Sequence, residues 1–443
     1  MAAGERNEPT MIVDTALQER EKSGKPIRVA IIGAGAAGRA IALQLATPPP
    51  GIRLAAIVNR TPEHAERAFR EAGMTEWSCP ESARDAGLAI DGGTPVLTDD
   101  PSVVTKCDAV DVIIEATGTI EYATAVILAA FAHSQHVVLV NAELDSLLGP
   151  ILKGRADRAG VVITHTDGEE PGVAMTLLRY LRSTGLRPVA AGNLKGMVDH
   201  YRTPETQRNF ALKYDLDARK VTSFADATKL SMETTVLANA TGFQCGRRGM
   251  YGPICQHVGE MAKLLPVDQM LDTGLVDYAL GAAPHTGAFV IVYEDKPLKQ
   301  AQLSYVKMGD GPFYVFYTPF HLPHIQIAST IGRAVVHRDA TVAPIAGPVC
   351  EVITLAKRDM KAGERLDGIG GFCTYGLIDK TGSARAVEAL PIALSENCVL
   401  RRDVAKDQVI SFADVEEPDR GMVDELWSEQ LARWPLEKQA AGQ

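Results

Sequence analysis

Only seven cysteines occur in the 443 residues, at positions 79, 107, 245, 255, 350, 373 and 398, and none stands in a C-x-x-C spacing. An odd, scattered set excludes a disulfide framework and a zinc ribbon and reads as reduced thiols. No stretch approaches the ~18 apolar residues of a membrane span, and the acidic, polar start has no apolar signal core. No long basic run interrupts a formal net charge of −10, so nucleic acid has no electrostatic footing, and neither it nor a membrane is an expected partner. The expected compartment is the cytoplasm. What is present is an ordinary soluble balance, 46% hydrophobic and 23% charged, enough for two or three domains with real cores.

The most informative stretch runs from Arg28 to Arg39, a β-branched run ending in G-x-G-x-x-G and passing into a helical Ala40–Leu45. Gly33 permits a tight turn, Gly35 lets the backbone approach a pyrophosphate, and Gly38 lets helix pack on strand, with Ala36 and Ala37 in the helix start whose amides face the phosphates. The next strand, Leu54–Val58, ends in Asn59-Arg60, about twenty residues on, where an NAD enzyme carries Asp or Glu for the ribose hydroxyl. No carboxylate stands there. Arg60 can pair with the 2′-phosphate of NADPH, the expected cofactor; it also reads as a solvated cation before the Thr61-Pro62-Glu63 helix start.

Strand and helix patterns alternate from Ile27 to about Thr166, as in a doubly wound parallel sheet. Two strand exits, Glu115–Thr119 and Asn141-Ala142-Glu143, fall at carboxyl ends where a nicotinamide half would lie, which adds Thr117, Gly118, Asn141 and Glu143 to the cofactor candidates. Each also reads as a plain strand exit. The expected organisation is a leader over 1–26 with a short helix, an NAD(P)-binding Rossmann domain over 27–168, an α+β substrate and dimerisation domain over 169–347, and a β-rich module and tail over 348–443. Aromatic strands at 287–293 and 312–317 suggest a sheet with one covered face, and a helix over 324–336 is expected to return toward the first domain. One phrase recurs in the last module: Ala356–Gly363 is mirrored by Leu400–Asp407.

Candidate chemistry concentrates between 192 and 251. If Asp226 opens a helix, Lys229, Glu233 and Leu237 share one face. The plain reading is an N-cap and a surface i,i+4 pair; the functional one is a Lys beside a carboxylate in a partly desolvated cleft, its pKa lowered toward working pH, polarising a carbonyl. Arg202, Arg247 and Arg248 sit in Gly- and Pro-rich turns where guanidinium forks can hold a phosphate or carboxylate, or serve as loop cations. His321 and His324 form a lone His-x-x-His, and Glu169-Glu170 raise the idea of a divalent ion, but no metal site is named.

The phrases GNLKG at 192–196, YRTPET at 201–206, ATKLSMETTVLANATGF at 227–243, GRRGMYGP at 246–253 and KMGDGPFYVFYTP at 307–319 resemble the 1-deoxy-D-xylulose 5-phosphate reductoisomerase-like (DRL) family. Asp226-x-x-Lys229 after such a first domain resembles the homoserine dehydrogenase group, and the module from about 348 resembles an SAF domain. The resemblance covers nearly the whole chain. It implies an NADPH-dependent enzyme of isoprenoid precursor synthesis, which rearranges 1-deoxy-D-xylulose 5-phosphate and reduces the product to 2-C-methyl-D-erythritol 4-phosphate, with magnesium or manganese as a candidate cofactor. Lys195 and Lys229 would hold carbonyl and hydroxyl oxygens, with Asn193 beside them. Asp226 would assist proton movement, and Arg202, Arg247 and Arg248 would take the phosphate of a small phosphorylated sugar. The expected assembly is a homodimer or higher homo-oligomer. Homoserine dehydrogenases carry a Lys where Ala142 follows Asn141 and space acid and Lys one residue wider, so homoserine oxidation is not expected; the DRL family more often has Gly at the place of Ala227. The alternatives are an NAD(P)-dependent dehydrogenase or oxidoisomerase of a sugar acid, and a non-catalytic nucleotide-sensing protein.

Overall fold

The computed structural model describes residues 13–47 and 50–436; the first twelve residues of the leader and the last seven of the tail lie outside it. Six parallel strands, β1 (Ile27–Ile32), β2 (Ile52–Val58), β3 (Val96–Thr98), β4 (Val112–Glu115), β5 (His136–Leu139) and β6 (Ile163–His165), order as β3-β2-β1-β4-β5-β6. The β-branched runs are buried on both faces between helices, which is why they are continuous rather than alternating. Strand order reverses between β1 and β4, and a crevice opens at the carboxyl ends there. This is an α/β fold with a Rossmann-like sheet, joined to further mixed and antiparallel sheets.

The second sheet holds β7 (Arg187–Lys195), β8 (Gln244–Cys245), β9 (Leu275–Leu280), β10 (Ala288–Tyr293) and β11 (Phe313–Thr318), ordered β11-β10-β7-β9-β8. Helices Glu170–Ser183 and Thr228–Thr241 cover one face, through Val173, Leu178, Leu230 and Leu237. Met261, Leu265 and Met270 cover the other. β7 is the central strand, and its last residues, Asn193 and Lys195, emerge beside the first sheet. The returning helix starts at Ile327, runs to Gly332 and relaxes into a π turn over Arg333–His337. Its Ile327 and Ile331 pack with Ile27, Val29 and Leu17 of the leader helix Val13–Lys22.

The last module is not a separate globule. β12 (Cys350–Ala356) and β13 (Thr374–Lys380) form an antiparallel pair, as do the short β14 (Val399–Leu400) and β15 (Val415–Glu416). The mirrored phrases form a local twofold: Met360 and Val404 exchange backbone hydrogen bonds, Asp359 accepts from the Lys406 amide at 2.8 Å, and Asp403 accepts from the Ala362 amide at 3.0 Å. The core of this pair runs on into the first domain through Val423, Leu426 and Trp427 of the helix Met422–Arg433. That helix also repairs a break. Pro150 interrupts the helix Ala142–Ala159, and the Gln430 amide serves both separated groups, donating to the Leu147 carbonyl at 2.8 Å and accepting from the Ile151 amide at 3.2 Å.

Candidate active site

The glycine turn is built for a phosphate. Gly33 has φ +101°, and a Cβ there would lie 3.0 Å from the Ala116 and Thr117 backbone. At Gly38 a Cβ would come within 1.9 Å of the Gly33 carbonyl oxygen, so helix and turn close only on glycine. Gly35 is exposed and nothing lies within 4 Å of its Cβ position, leaving its backbone, and the helix start at Ala36 and Ala37, open to a pyrophosphate. The residues present therefore fit a dinucleotide. Asn59 accepts from the Ala34 amide at 3.0 Å and donates to the Thr61 carbonyl at 2.9 Å, so its side chain braces this turn. Arg60 is exposed and has no ion pair among the described residues.

At the β4 exit, buried Glu115 accepts from the Thr117 amide at 2.9 Å and from Asn141 Nδ2 at 2.6 Å. Burial pushes its carboxyl upward against those donors. Asn141 caps the helix carrying Glu143, accepting from the Leu144 amide at 3.0 Å. Helices Pro204–Lys213 and Ala218–Ala225 lie across the crevice: between them Asp215 reaches Arg39 at 2.7 Å and Arg67 at 2.8 Å, and the Lys220 ammonium stands 3.1 Å from the Cβ position of Gly118. Between this hairpin, the β4 exit and the last module lies a cleft of about 710 Å3, with Gly118, Glu143 and Ser223 on its wall.

Next to it two lysines stand in a nest of carboxylates drawn from three segments. Lys195 Nζ lies 2.5 Å from Glu170 and 3.6 Å from Glu233 Oε2. Lys229 Nζ is nearly equidistant from Glu143 at 3.9 Å, Glu169 at 3.8 Å and Glu233 Oε1 at 3.9 Å. The two ammoniums thus take the two oxygens of Glu233. Asn193 Nδ2 donates to Glu170 at 3.0 Å and Glu233 at 3.2 Å, while its Oδ1 is buried without a partner. Behind them His165 bridges Asp145 at 3.2 Å and Glu169 at 2.5 Å.

Burial alone would lower Lys229, but Glu143, Glu169 and Glu233 overturn it and hold its pKa above the usual lysine value. The expectation of a lysine lowered toward working pH is corrected here: Lys229 stays an ammonium, a donor and electrophile rather than a base. Burial also sets Glu170 well above the carboxylate range, with Glu233 nearby, whereas Lys195 and the Glu170 hydrogen bond outweigh burial at Glu233 and hold it low. Glu169, raised by burial, is brought down to about 2 by Lys229 and His165. His165, lowered by burial, is brought up to about 9 by Glu169 and Asp145. The arrangement offers two fixed cations and one carboxyl raised by burial beside another held low, which suits carbonyl polarisation and proton transfer.

The other residues singled out from the sequence sit elsewhere. Asp226 is buried and turned away from Lys229, paired with Lys357 of the last module at 2.8 Å. Arg202 pairs with Asp199 at 3.0 Å and Arg248 with Asp379 at 2.8 Å. Arg247 donates to the Met250 carbonyl at 2.9 Å and lies over the Tyr251 ring. Each of the three arginines is thus engaged by a group of the protein itself. His321 is held by Thr286 at 2.7 Å, and among the described residues no group of three or more His, Cys, Asp or Glu has metal-holding geometry.

Residues 168–327 match the family described as oxidoreductase DRL, catalytic domain, and residues 27–139 match the oxidoreductase family with an NAD-binding Rossmann fold. The chain is an oxidoreductase. No curated protein matches it. Among solved structures it is similar to a probable dehydrogenase from Thermotoga maritima, with 14% identity over 61% of this chain and 74% of that one and a TM-score of 0.38. The apo scyllo-inositol dehydrogenase from Lactobacillus casei shares 11% identity over 71% and 89%, TM-score 0.41. A homoserine dehydrogenase from Thiobacillus denitrificans shares 15% over 86% and 98%, TM-score 0.41. No helix among the described residues of this oxidoreductase is long and apolar enough to cross a membrane.

Sequence reasoning missed Asp145 and His165 and left Glu169 and Glu170 as an isolated acidic turn. The one local signal is the i,i+4 spacing of His165 and Glu169, and it lies across a strand exit where helical spacing means nothing.

Proposed function

We propose that this oxidoreductase uses NADPH to reduce a small hydroxy-carbonyl sugar phosphate, and that its reaction is the reductoisomerisation of 1-deoxy-D-xylulose 5-phosphate to 2-C-methyl-D-erythritol 4-phosphate. The observation that carries the chemistry is the pair of ammoniums, Lys195 and Lys229, on the two oxygens of Glu233. Neighbouring carbonyl and hydroxyl oxygens of one substrate fit such a pair of donors, and the unpartnered Asn193 Oδ1 suits a substrate hydroxyl. Lys229 polarises the carbonyl and Lys195 fixes the adjacent oxygen. Glu233, held low, accepts the proton that the neighbouring hydroxyl gives up as the carbon skeleton rearranges, and Glu170, raised by burial, gives its proton to the oxygen that becomes an alkoxide; the further proton consumed by the hydride step comes from solvent. Bound NADPH supplies the hydride. The substrate identity and the SAF character of the β-rich module rest on the sequence resemblance. NADPH preference rests on Arg60 and on the absence of a carboxylate beside it.

The pairing of Arg202, Arg247 and Arg248 within the protein favours a second reading, in which the substrate is a sugar acid and the reaction a dehydrogenation or oxidoisomerisation. A carboxylate needs fewer donors than a phosphate dianion. Purified protein assayed with NADPH and 1-deoxy-D-xylulose 5-phosphate, with and without magnesium or manganese, decides between them. Turnover is expected on that substrate; turnover confined to sugar acids with NAD(P)+ establishes the second reading.

A further inference from the structure

The helix that carries Lys229 begins in a way its own sequence does not support. Ala227, the residue before its first turn, has φ +75° and supplies no side-chain cap. A residue with a Cβ keeps that left-handed conformation only where its surroundings hold it. What holds it here comes from the last module. The Lys357 ammonium lies 2.8 Å from Asp226 Oδ2, the two side chains being 3% and 0% exposed, and it also donates to the carbonyls of Arg202 at 2.7 Å and Gly371 at 2.8 Å. The other oxygen of Asp226 accepts from the Thr228 amide at 2.9 Å, so the same carboxyl group serves the start of the helix.

The grip continues along the helix. Thr228 Oγ1 accepts from the Gly376 amide at 2.9 Å, and Ser231 donates to the Gly376 carbonyl at 3.2 Å. A Cβ at Gly376 would lie 2.9 Å from Val352 and 3.1 Å from Thr228, so β13 comes this close only as glycine. At the far end Asn239 Oδ1 accepts from the Val349 and Cys350 amides. The internal repeat points the same way. Its two phrases share their turn hydrogen bonds, yet the position of the buried Lys357 is occupied in the second phrase by an exposed Arg401. A buried lysine is not needed to make that fold, since the second copy does without one.

We propose that Lys357 is a positioning residue of the active site: by pairing with Asp226 it seats the first turn of the helix so that Lys229 stands among Glu143, Glu169 and Glu233, which makes the β-rich module part of the catalytic unit. Asp226 is then an anchor and not a proton carrier. This rests on the reading that Lys229 takes part in turnover.

The test uses full-length protein with Lys357→Met, Asp226→Asn and the double variant. Either single change leaves a buried polar group without its partner, whereas the double change removes both charges together. Lys357→Met is expected to lower kcat at least ~10-fold with the NADPH Kd within about twofold, and to speed hydrogen exchange of the 226–232 amides. The double variant is expected to return to within about threefold of the original kcat, with an unchanged pH profile and slow exchange restored. Two results overturn the proposal: a double variant as slow as Asp226→Asn with one limb of the pH profile lost, which makes Asp226 the proton carrier, or Lys357→Met with the original kcat and exchange. If Lys357→Met does not fold, the double variant decides on the same readouts. Exchange needs no substrate, so a protein inactive on every substrate tried refutes the functional reading while the exchange result still judges this one.

Discussion

In the glycine turn the demands are steric and most are met by nearby backbone: Gly38 closes against Gly33, the helix amides follow directly, and the adjoining strands add only Asn59 against Ala34 and the backbone of Ala116 and Thr117 against Gly33. In the lysine cluster only the Lys229–Glu233 pair, one helical turn apart, is local. Lys195 arrives on a sheet strand, Lys229 on a helix, Glu169 and Glu170 on another, and Glu143 on a third, and the two lysines set the titration of Glu169, Glu170 and Glu233 and are set by it. The first region fails by steric exclusion, one atom at a time. The second fails by charge imbalance, which spreads, because removing one member changes the pKa of all that face it.

The largest expected effect breaks the second region alone. Lys229→Met keeps the stem and removes the charge, and kcat is expected to fall by two to three orders of magnitude, roughly 2.7–4 kcal/mol, with NADPH affinity little changed. Single-turnover kinetics and cofactor titration check both halves. A loss of thermal stability with kcat retained would reduce Lys229 to a structural partner of Glu233.

Stability against pH comes next. His165 is held up at about 9, above its unfolded value of about 6.5. Its contribution is therefore fully present below about pH 6.5 and is lost as pH rises through about 9. Glu169, held at about 2, contributes above about pH 4.5 and loses its share as pH falls through about 2. The contact is one and counts once, roughly 3 kcal/mol at most. Thermal melts from pH 6 to 10 should show an alkaline decline that His165→Gln flattens; an equal decline in both proteins would remove His165 from the account.

Two alanine changes sharpen the steric side. Gly38→Ala is expected to cost about 2 kcal/mol or more of stability, since a Cβ there meets a carbonyl. Gly35→Ala, with open space around it, should leave the melting temperature alone and weaken NADPH binding by about tenfold. Equal effects of the two in either assay would show that Gly35 does not face the phosphates. The smallest expected change is at the rim of the same region: Arg60→Ala should reduce the NADPH to NADH ratio of kcat/KM by about tenfold, about 1.4 kcal/mol. An unchanged ratio would leave Arg60 a loop cation.

How much was legible follows from the same contrast. The doubly wound order is implied by strand runs that bury both faces and by the glycine spacing, because a parallel sheet and a tight turn make demands on residues close in sequence. Lys195, Lys229 and Asn193 stand out in their phrases, and the structure brings them together. The arginines of the same phrases look equally exposed to a ligand in sequence, yet Arg248 is taken by Asp379, remote in the chain, and Arg202 and Arg247 by Asp199 and the Met250 carbonyl only three residues away.

By itself, then, the sequence determined a dinucleotide turn, an alternating α/β first domain, a repeat in the last module and the lysines of the middle one. The tertiary structure alone decided what those lysines are. Asp226 and Lys229 lie three residues apart and were expected to act together, but the chain turns through a left-handed Ala227 between them. One faces Lys357 across a module boundary, the other Glu143, Glu169 and Glu233. A charge state depends on burial and on the nearest opposite charge, and both are set by segments that meet only when the chain has folded.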